Sequence, residues 1–178
     1  MQTHRFTDVQ SLIHAVGEHG IIITANQQAR MVLLDHYRLS SSVSSQHWSR
    51  PPIVSFWQWI GSFQDAVTQG HQVLSHFQEW LLWQSLMPSL LNEPAFHPYA
   101  AKALATWQQL WWFGVSSMDV PSDPEFAFCF SRWSAAFSRH LDEHHLMDQT
   151  RLCDAVIRSF ERKEIGLSST GIWFHGFE

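Results

Sequence analysis

Lysine is scarce in this chain: only Lys102 and Lys163 occur in 178 residues. Neither follows a glycine-rich turn, and a P-loop needs such a turn to wrap phosphates with its N–H groups, followed by Lys and Ser or Thr. ATP hydrolysis of the P-loop type is therefore excluded. GxGxxG, GxSxG and HExxH are missing too, so no cofactor is expected. Basic residues are few overall, 11 Lys plus Arg against 16 Asp plus Glu, for a formal net charge of -5. A free-standing nucleic-acid binder carries a positive field that this domain as a whole lacks. There are two cysteines, Cys129 and Cys153, in no CxxC arrangement. They read as buried free thiols of a reducing compartment, with no disulfide framework. No apolar run approaches membrane-spanning length, and the N-terminal "MQTHRFTDVQ" has no signal-type apolar core. The expected address is the cytoplasm, with no membrane partner.

Aromatic residues are plentiful. Hydrophobic residues make up 45% of the chain and aromatics 14%, with 10 Trp and 13 Phe. That argues against disorder and leaves apolar surface to spare for a partner. A length of 178 residues suits one domain around a single core.

Local patterns give the element order. Thr7 and Gln10 make a capping box before "VQSLIHAV", which predicts a short amphipathic helix ended by Gly17 and Gly20. Residues 21 to 24, three isoleucines and a threonine, have the β-branched pattern of a strand buried on both faces of a parallel sheet. Asn26 is a good N-cap for a helix to about Leu39, and "SSSVSSQ" at 40 to 46 reads as a loop. A brief strand is expected at Ile53 to Ser55, followed by a helix over "FWQWIGSFQDAV". Four more helices are predicted at Leu74 to Leu91, about His97 to Phe113, Pro124 to about His145 and Asp148 to about Lys163. "GIWFHGFE" then has a strand pattern. The predicted class is α/β: sheet elements at about 20–55 and 171–177, interrupted by a helical insertion at about 56–165. Because a strand that stops at Glu178 caps nothing, the chain is expected to be the N-terminal part of something longer.

Few constellations carry chemistry. His140 and His144 share a helix face with Glu143 nearby, but no third metal ligand stands at recognisable spacing, and a solvated polar face explains them as well. The tryptophans of "WQQLWWF" and "FWQWI" have the surfaces to stack bases, yet their helical spacing fits core or interdomain contact. Asp148 reads as a helix N-cap. In "IIITANQQARMVLLDHYRL" a strand empties into a helix N-terminus through Thr24 and Asn26, where free N–H groups and the helix dipole can hold a phosphate of a nucleic-acid backbone. Arg30, Arg38 and Arg50 lie around this stretch, and Arg151, Arg158, Arg162 and Lys163 cluster late in the chain, giving two candidate basic faces.

Taken in order, "IIITANQQARMVLLDHY", "HWSRPPIVSFWQWI", "FSRWSAAF", "MDQTRLCDAV" and "IWFHGFE" resemble the N-terminal region of bacterial DNA repair proteins of the RecB/AddB-like class, whose members carry a PD-(D/E)XK nuclease domain at the far C-terminus. The matching positions are Thr24 and Asn26; Trp48, Pro51 and Trp59; Trp133 and Phe137; Asp148 and Leu152; and Gly176, Phe177 and Glu178. The resemblance implies a partial RecA-like sheet of the superfamily 1 helicase type, lacking Walker A and carrying a large helical insertion. The strand-helix joint would then be motif Ia, which touches single-stranded DNA. Gln27 and Gln28 stand where the family carries arginines, and each lost cation removes a phosphate contact.

By the same resemblance the chain would be a non-catalytic scaffold that guides single-stranded DNA toward the nuclease domain of a parent exonuclease, or works beside a helicase partner subunit. Its DNA-contacting residues would be Thr24, Asn26, Arg30 and Arg50, with no catalytic or metal-binding residue. The rival reading is a Trp-rich protein-interaction module with no DNA contact.

Overall fold

The structure, a computed structural model, describes residues 16, 20–41, 53–91, 97–114, 124–166 and 171–177. In chain order the elements are β1 (Gly20–Thr24), α1 (Gln27–Ser41), β2 (Ile53–Ser55), α2 (Phe56–Gly61), α3 (Gln64–Val67), β3 (Gln72–Val73), α4 (His76–Leu91), α5 (His97–Phe113), α6 (Pro124–Glu143), β4 (Leu146–Met147), α7 (Gln149–Glu161) and β5 (Gly171–His175). The fold is mixed α/β, with a small parallel sheet and many helices. Two compact units are distinguished: Met1–Phe63 with Arg162–Glu178, and Gln64–Glu161. No helix among the described residues is long and apolar enough to cross a membrane.

The first unit is built on a three-stranded sheet of order β2-β1-β5, parallel throughout. Ile22 and Ile23 of β1 are fully enclosed, as β-branched side chains of a central parallel strand should be. In register, Ile22, Ile23 and Thr24 pair with Ile53, Val54 and Ser55 on one side, and Gly20 to Thr24 pair with Gly171 to His175 on the other. Ile22 packs with Val16, Leu33, Leu34 and Ile53, and Trp173 closes this core. Gly20 has a steric reason: a Cβ there would run into the Val16 carbonyl and the Trp173 ring. The helix expected from the capping box at Thr7 lies outside the described residues apart from buried Val16, and α1 runs to Ser41, into the stretch read as a loop.

The continuous helix expected after β2 is broken in two. Ser55 caps α2 in a reciprocal capping box with Gln58. At the other end the Ser62 hydroxyl donates to the Trp59 carbonyl at 2.6 Å, taking an acceptor that a continuing helix would need, and α2 stops at Gly61.

The second unit is mainly helical. Its core gathers Trp83 and Met87 of α4, Ala100, Ala103 and Leu104 of α5, and Phe126, Phe130, Trp133, Phe137 and Leu141 of α6. The Trp83 ring is stacked on Phe137 at 4.4 Å. Helices α4 to α7 sit where the 3.6-residue periodicity places them. The parallel pair β3–β4, only Gln72–Leu146 and Val73–Met147 in register, was not expected.

Candidate nucleic-acid interface

The carboxyl ends of β2, β1 and β5 lie side by side, and each is followed by a segment with a polar or aromatic character of its own. After β1 comes the strand-helix joint. Asn26 is exposed, and its Oδ1 accepts from the Ala29 N–H at 2.8 Å, so the capping role expected of it is met. Its carbonyl accepts from the Arg30 N–H at 3.2 Å. Thr24 is fully buried, and its hydroxyl donates its single proton to the carbonyl of either Asn26 (3.0 Å) or Val54 (3.2 Å). The Ala25 N–H donates to the His175 carbonyl at 3.1 Å, tying the joint to the end of β5.

Arg30 is only 6% exposed. Its Nε donates to the Ile53 carbonyl at 3.0 Å, which braces α1 against β2. That bond takes one of the five N–H groups of the guanidinium. Arg50 lies outside the described residues. The joint thus brings Thr24, Asn26 and Arg30 together, and the Thr24 hydroxyl, Asn26 Oδ1 and Arg30 Nε are engaged in building it.

Of the two basic faces read from sequence, most members have an acidic partner. Arg38 pairs with Asp35 at 3.2 Å, Arg151 with Asp142 at 2.6 Å, Arg158 with Asp154 at 3.2 Å and Arg162 with Glu164 at 3.9 Å. Such surface pairs add little stability, but they cancel the local charge that would attract a phosphate backbone.

The feature that sequence reasoning placed differently is aromatic. Phe56, Trp57, Trp59 and Phe63, on and just after α2, form a chain of ring contacts: Phe56 to Trp57 at 5.3 Å, Phe56 to Trp59 at 6.3 Å and Trp59 to Phe63 at 5.5 Å. Phe177 joins it at 6.1 Å from Phe56, and Phe174 stands 5.6 Å from Phe177. The first four rings are half-buried, whereas Phe174 and Phe177 are 53% and 46% exposed. Gly176, at φ 75°, turns the chain between His175 and Phe177 with the left-handed backbone that glycine tolerates best. A Cβ on it would lie 3.7 Å from the Ala29 Cβ, so this turn sits beside the joint. Six rings and a helix N-terminus therefore share the carboxyl edge of the sheet. Helical spacing in "FWQWI" gave no hint that the Phe56 ring would meet Phe177, more than a hundred residues later in the chain.

The other sequence candidates fall in the second unit. Trp107 is half-buried against its core and donates its indole N–H to Asp148 Oδ2 at 2.6 Å, and Trp111 donates to Asp154 Oδ1 at 2.9 Å. Trp112 is 48% exposed. Asp148 caps α7, its Oδ1 accepting from the Arg151 N–H at 2.8 Å. The His140 and His144 rings are stacked at 4.0 Å, and burial followed by the His144 charge holds His140 below its ordinary pKa. Among the described residues no three His, Cys, Asp or Glu side chains converge as metal ligands. Cys129 is half-buried; Cys153 is fully buried, and burial pushes its thiol up to about 12, leaving it unreactive.

The chain matches no protein-family model and has no significant match among curated proteins or solved structures.

Proposed function

We propose that the first unit is a helicase-type, RecA-like scaffold without a motor, and that the carboxyl edge of its sheet faces single-stranded DNA in a repair protein of the RecB/AddB-like class. The observation that carries this reading is the aromatic cluster beside the strand-helix joint. From central β1 the chain goes to β2 on one side, and later returns to β5 on the other, so β1 is the point where the strand order switches direction. In open parallel sheets ligands bind outside the carboxyl ends at such a point. Exposed rings there offer stacking surfaces to unpaired bases, and stacking needs no base-specific hydrogen bond. With Arg30 buried and Arg38 paired with Asp35, stacking outweighs phosphate contact, and binding is only weakly salt-dependent.

The missing Gly-Lys-Ser/Thr turn makes the unit a guide, and strand cleavage or unwinding falls to a nuclease domain of the parent protein or to a motor subunit. Titration of the chain with oligothymidylate, followed by tryptophan fluorescence at low salt, tests the reading. The expected result is saturable quenching, and an unaltered signal at every concentration counts against it.

A second reading has its own observation. On α4, Phe77 is 64% exposed and stacked with Trp80 at 5.7 Å, with Leu81 44% exposed one turn on. This apolar strip is the natural docking surface if the chain is instead a protein-interaction module. Retained partner capture by a variant that has lost all DNA affinity would favour it.

A further inference from the structure

Glu79, in the first turn of α4, and Asp148, immediately before α7, are 1% and 0% exposed. The two sites are linked by one backbone donor: the N–H of Gln149 donates to Glu79 Oε1. Around that bond the segment 72–79 is fastened to 145–149. The Gln72 N–H donates to the His145 carbonyl at 3.0 Å, the Leu74 N–H to the Met147 carbonyl at 2.8 Å, and Gln149 Nε2 to the Leu74 carbonyl at 2.6 Å. His145, at φ 52°, turns the chain from α6 into β4 and so aims this segment.

Charge is unbalanced inside this fastening. Among the described residues the groups facing Glu79 are the Asp148 carboxylate, the Gln149 N–H and the side chain of Gln108 on α5, whose Nε2 lies 3.5 Å from Nδ1 of exposed His76. Asp148 accepts three hydrogen bonds: Oδ1 takes the Arg151 N–H, and Oδ2 takes the Trp107 indole at 2.6 Å and the Thr150 hydroxyl at 2.9 Å. The nearest arginine in sequence, Arg151, pairs with Asp142 and donates to Ser138. Among the described residues neither enclosed carboxyl has a salt bridge.

Two buried carboxyls without a cation cannot both ionise cheaply. Three donors converge on Asp148 and a single backbone N–H on Glu79 Oε1, so the proton that relieves the pair belongs on Glu79.

We propose that the Glu79–Asp148 pair is a proton-operated clasp: with Glu79 neutral it fastens 72–79 to the start of α7, and loss of that proton loosens the fastening and the helical unit with it. Burial first, and then the Asp148 charge, push the Glu79 carboxyl up to about 7, against the donors Gln149 and Gln108. The sign follows from the folded value exceeding the ordinary one of 4.5. The folded state holds the proton more tightly than the unfolded chain, so the extra stability is complete in acid below 4.5. It is lost progressively up to about 7 and absent above it.

The experiment is urea unfolding of the full chain between pH 4.5 and 8, with Glu79→Gln beside the wild type. Gln keeps the acceptor for Gln149 and cannot ionise. The wild-type folding equilibrium should weaken by on the order of a hundredfold more than that of Glu79→Gln across this range. Parallel pH profiles for the two proteins would overturn the proposal. Should the variant not fold, a carboxyl-carbon NMR titration of Glu79 in the wild type decides: a midpoint near neutrality supports the clasp, and one near 4.5 refutes it.

Discussion

Replacing Arg30 separates two roles that the sequence alone leaves together. As a brace, Arg30 contributes a charged donor to the Ile53 carbonyl at 3.0 Å and a buried aliphatic stem between α1 and β2. Losing a hydrogen bond to a charged group costs roughly 1.5–3 kcal/mol. Removing the stem adds about 1 kcal/mol of lost packing, partly offset because an enclosed guanidinium no longer has to be desolvated. Arg30→Ala should therefore destabilise the fold by about 3 kcal/mol, and Arg30→Met, which keeps the stem, by about 2 kcal/mol. Chemical denaturation reads both. On the DNA side, a phosphate contact made to a single strand contributes about 0.7 to the slope of log affinity against log salt. A brace contributes nothing to that slope, which should be the same in wild type and Arg30→Met. If instead stability stays within about 0.5 kcal/mol and the slope falls by about 0.7, Arg30 is a phosphate ligand and the structural reasoning fails.

Two further substitutions probe the packing around each unit. Asp148→Ala removes the α7 cap, worth about 1 kcal/mol, and strands the Trp107 indole and Thr150 hydroxyl, so thermal or urea unfolding should show a loss of about 3 kcal/mol. Asp148→Asn keeps the acceptor for the Arg151 N–H and should cost clearly less; equal losses in the two variants would refute the cap. Gly20→Ala drives a methyl into the Val16 carbonyl and the Trp173 ring, with an expected loss of about 2 kcal/mol or more by the same assay. An alanine tolerated without loss would mean that Trp173 does not lie across β1.

Much of this architecture is legible from local chemistry. Three consecutive isoleucines can hardly be anything but a strand covered on both faces, and β1 is central. The long helices are announced by their periodicity and by the Gly, Pro, Asp and Asn residues between them, and Asn26 and Asp148 cap the helices they precede. Non-local partners are a different matter. Strands β3 and β4 hold two residues each and owe their existence to each other across more than seventy positions, with no period to reveal them. An arginine on an amphipathic helix looks the same whether it turns to solvent or, like Arg30, to a buried carbonyl of another strand. Nor does the sequence around Phe56 show that its ring will contact Phe177. The candidate site was thus visible as a joint, while its aromatic surface and the engagement of Arg30 and Arg38 needed three dimensions.

The most direct measurement is the affinity of the full chain for oligothymidylate at low salt, compared with that of a Phe174→Ala, Phe177→Ala double variant. Both side chains are about half exposed, so the substitutions should leave the fold intact, as unfolding curves can verify. Base stacking on an aromatic ring contributes roughly 1–3 kcal/mol, so removing the two most exposed rings should weaken binding by about tenfold or more, with little change in salt slope. An affinity indifferent to both rings, or no binding by the wild type at low salt, contradicts a DNA-facing carboxyl edge.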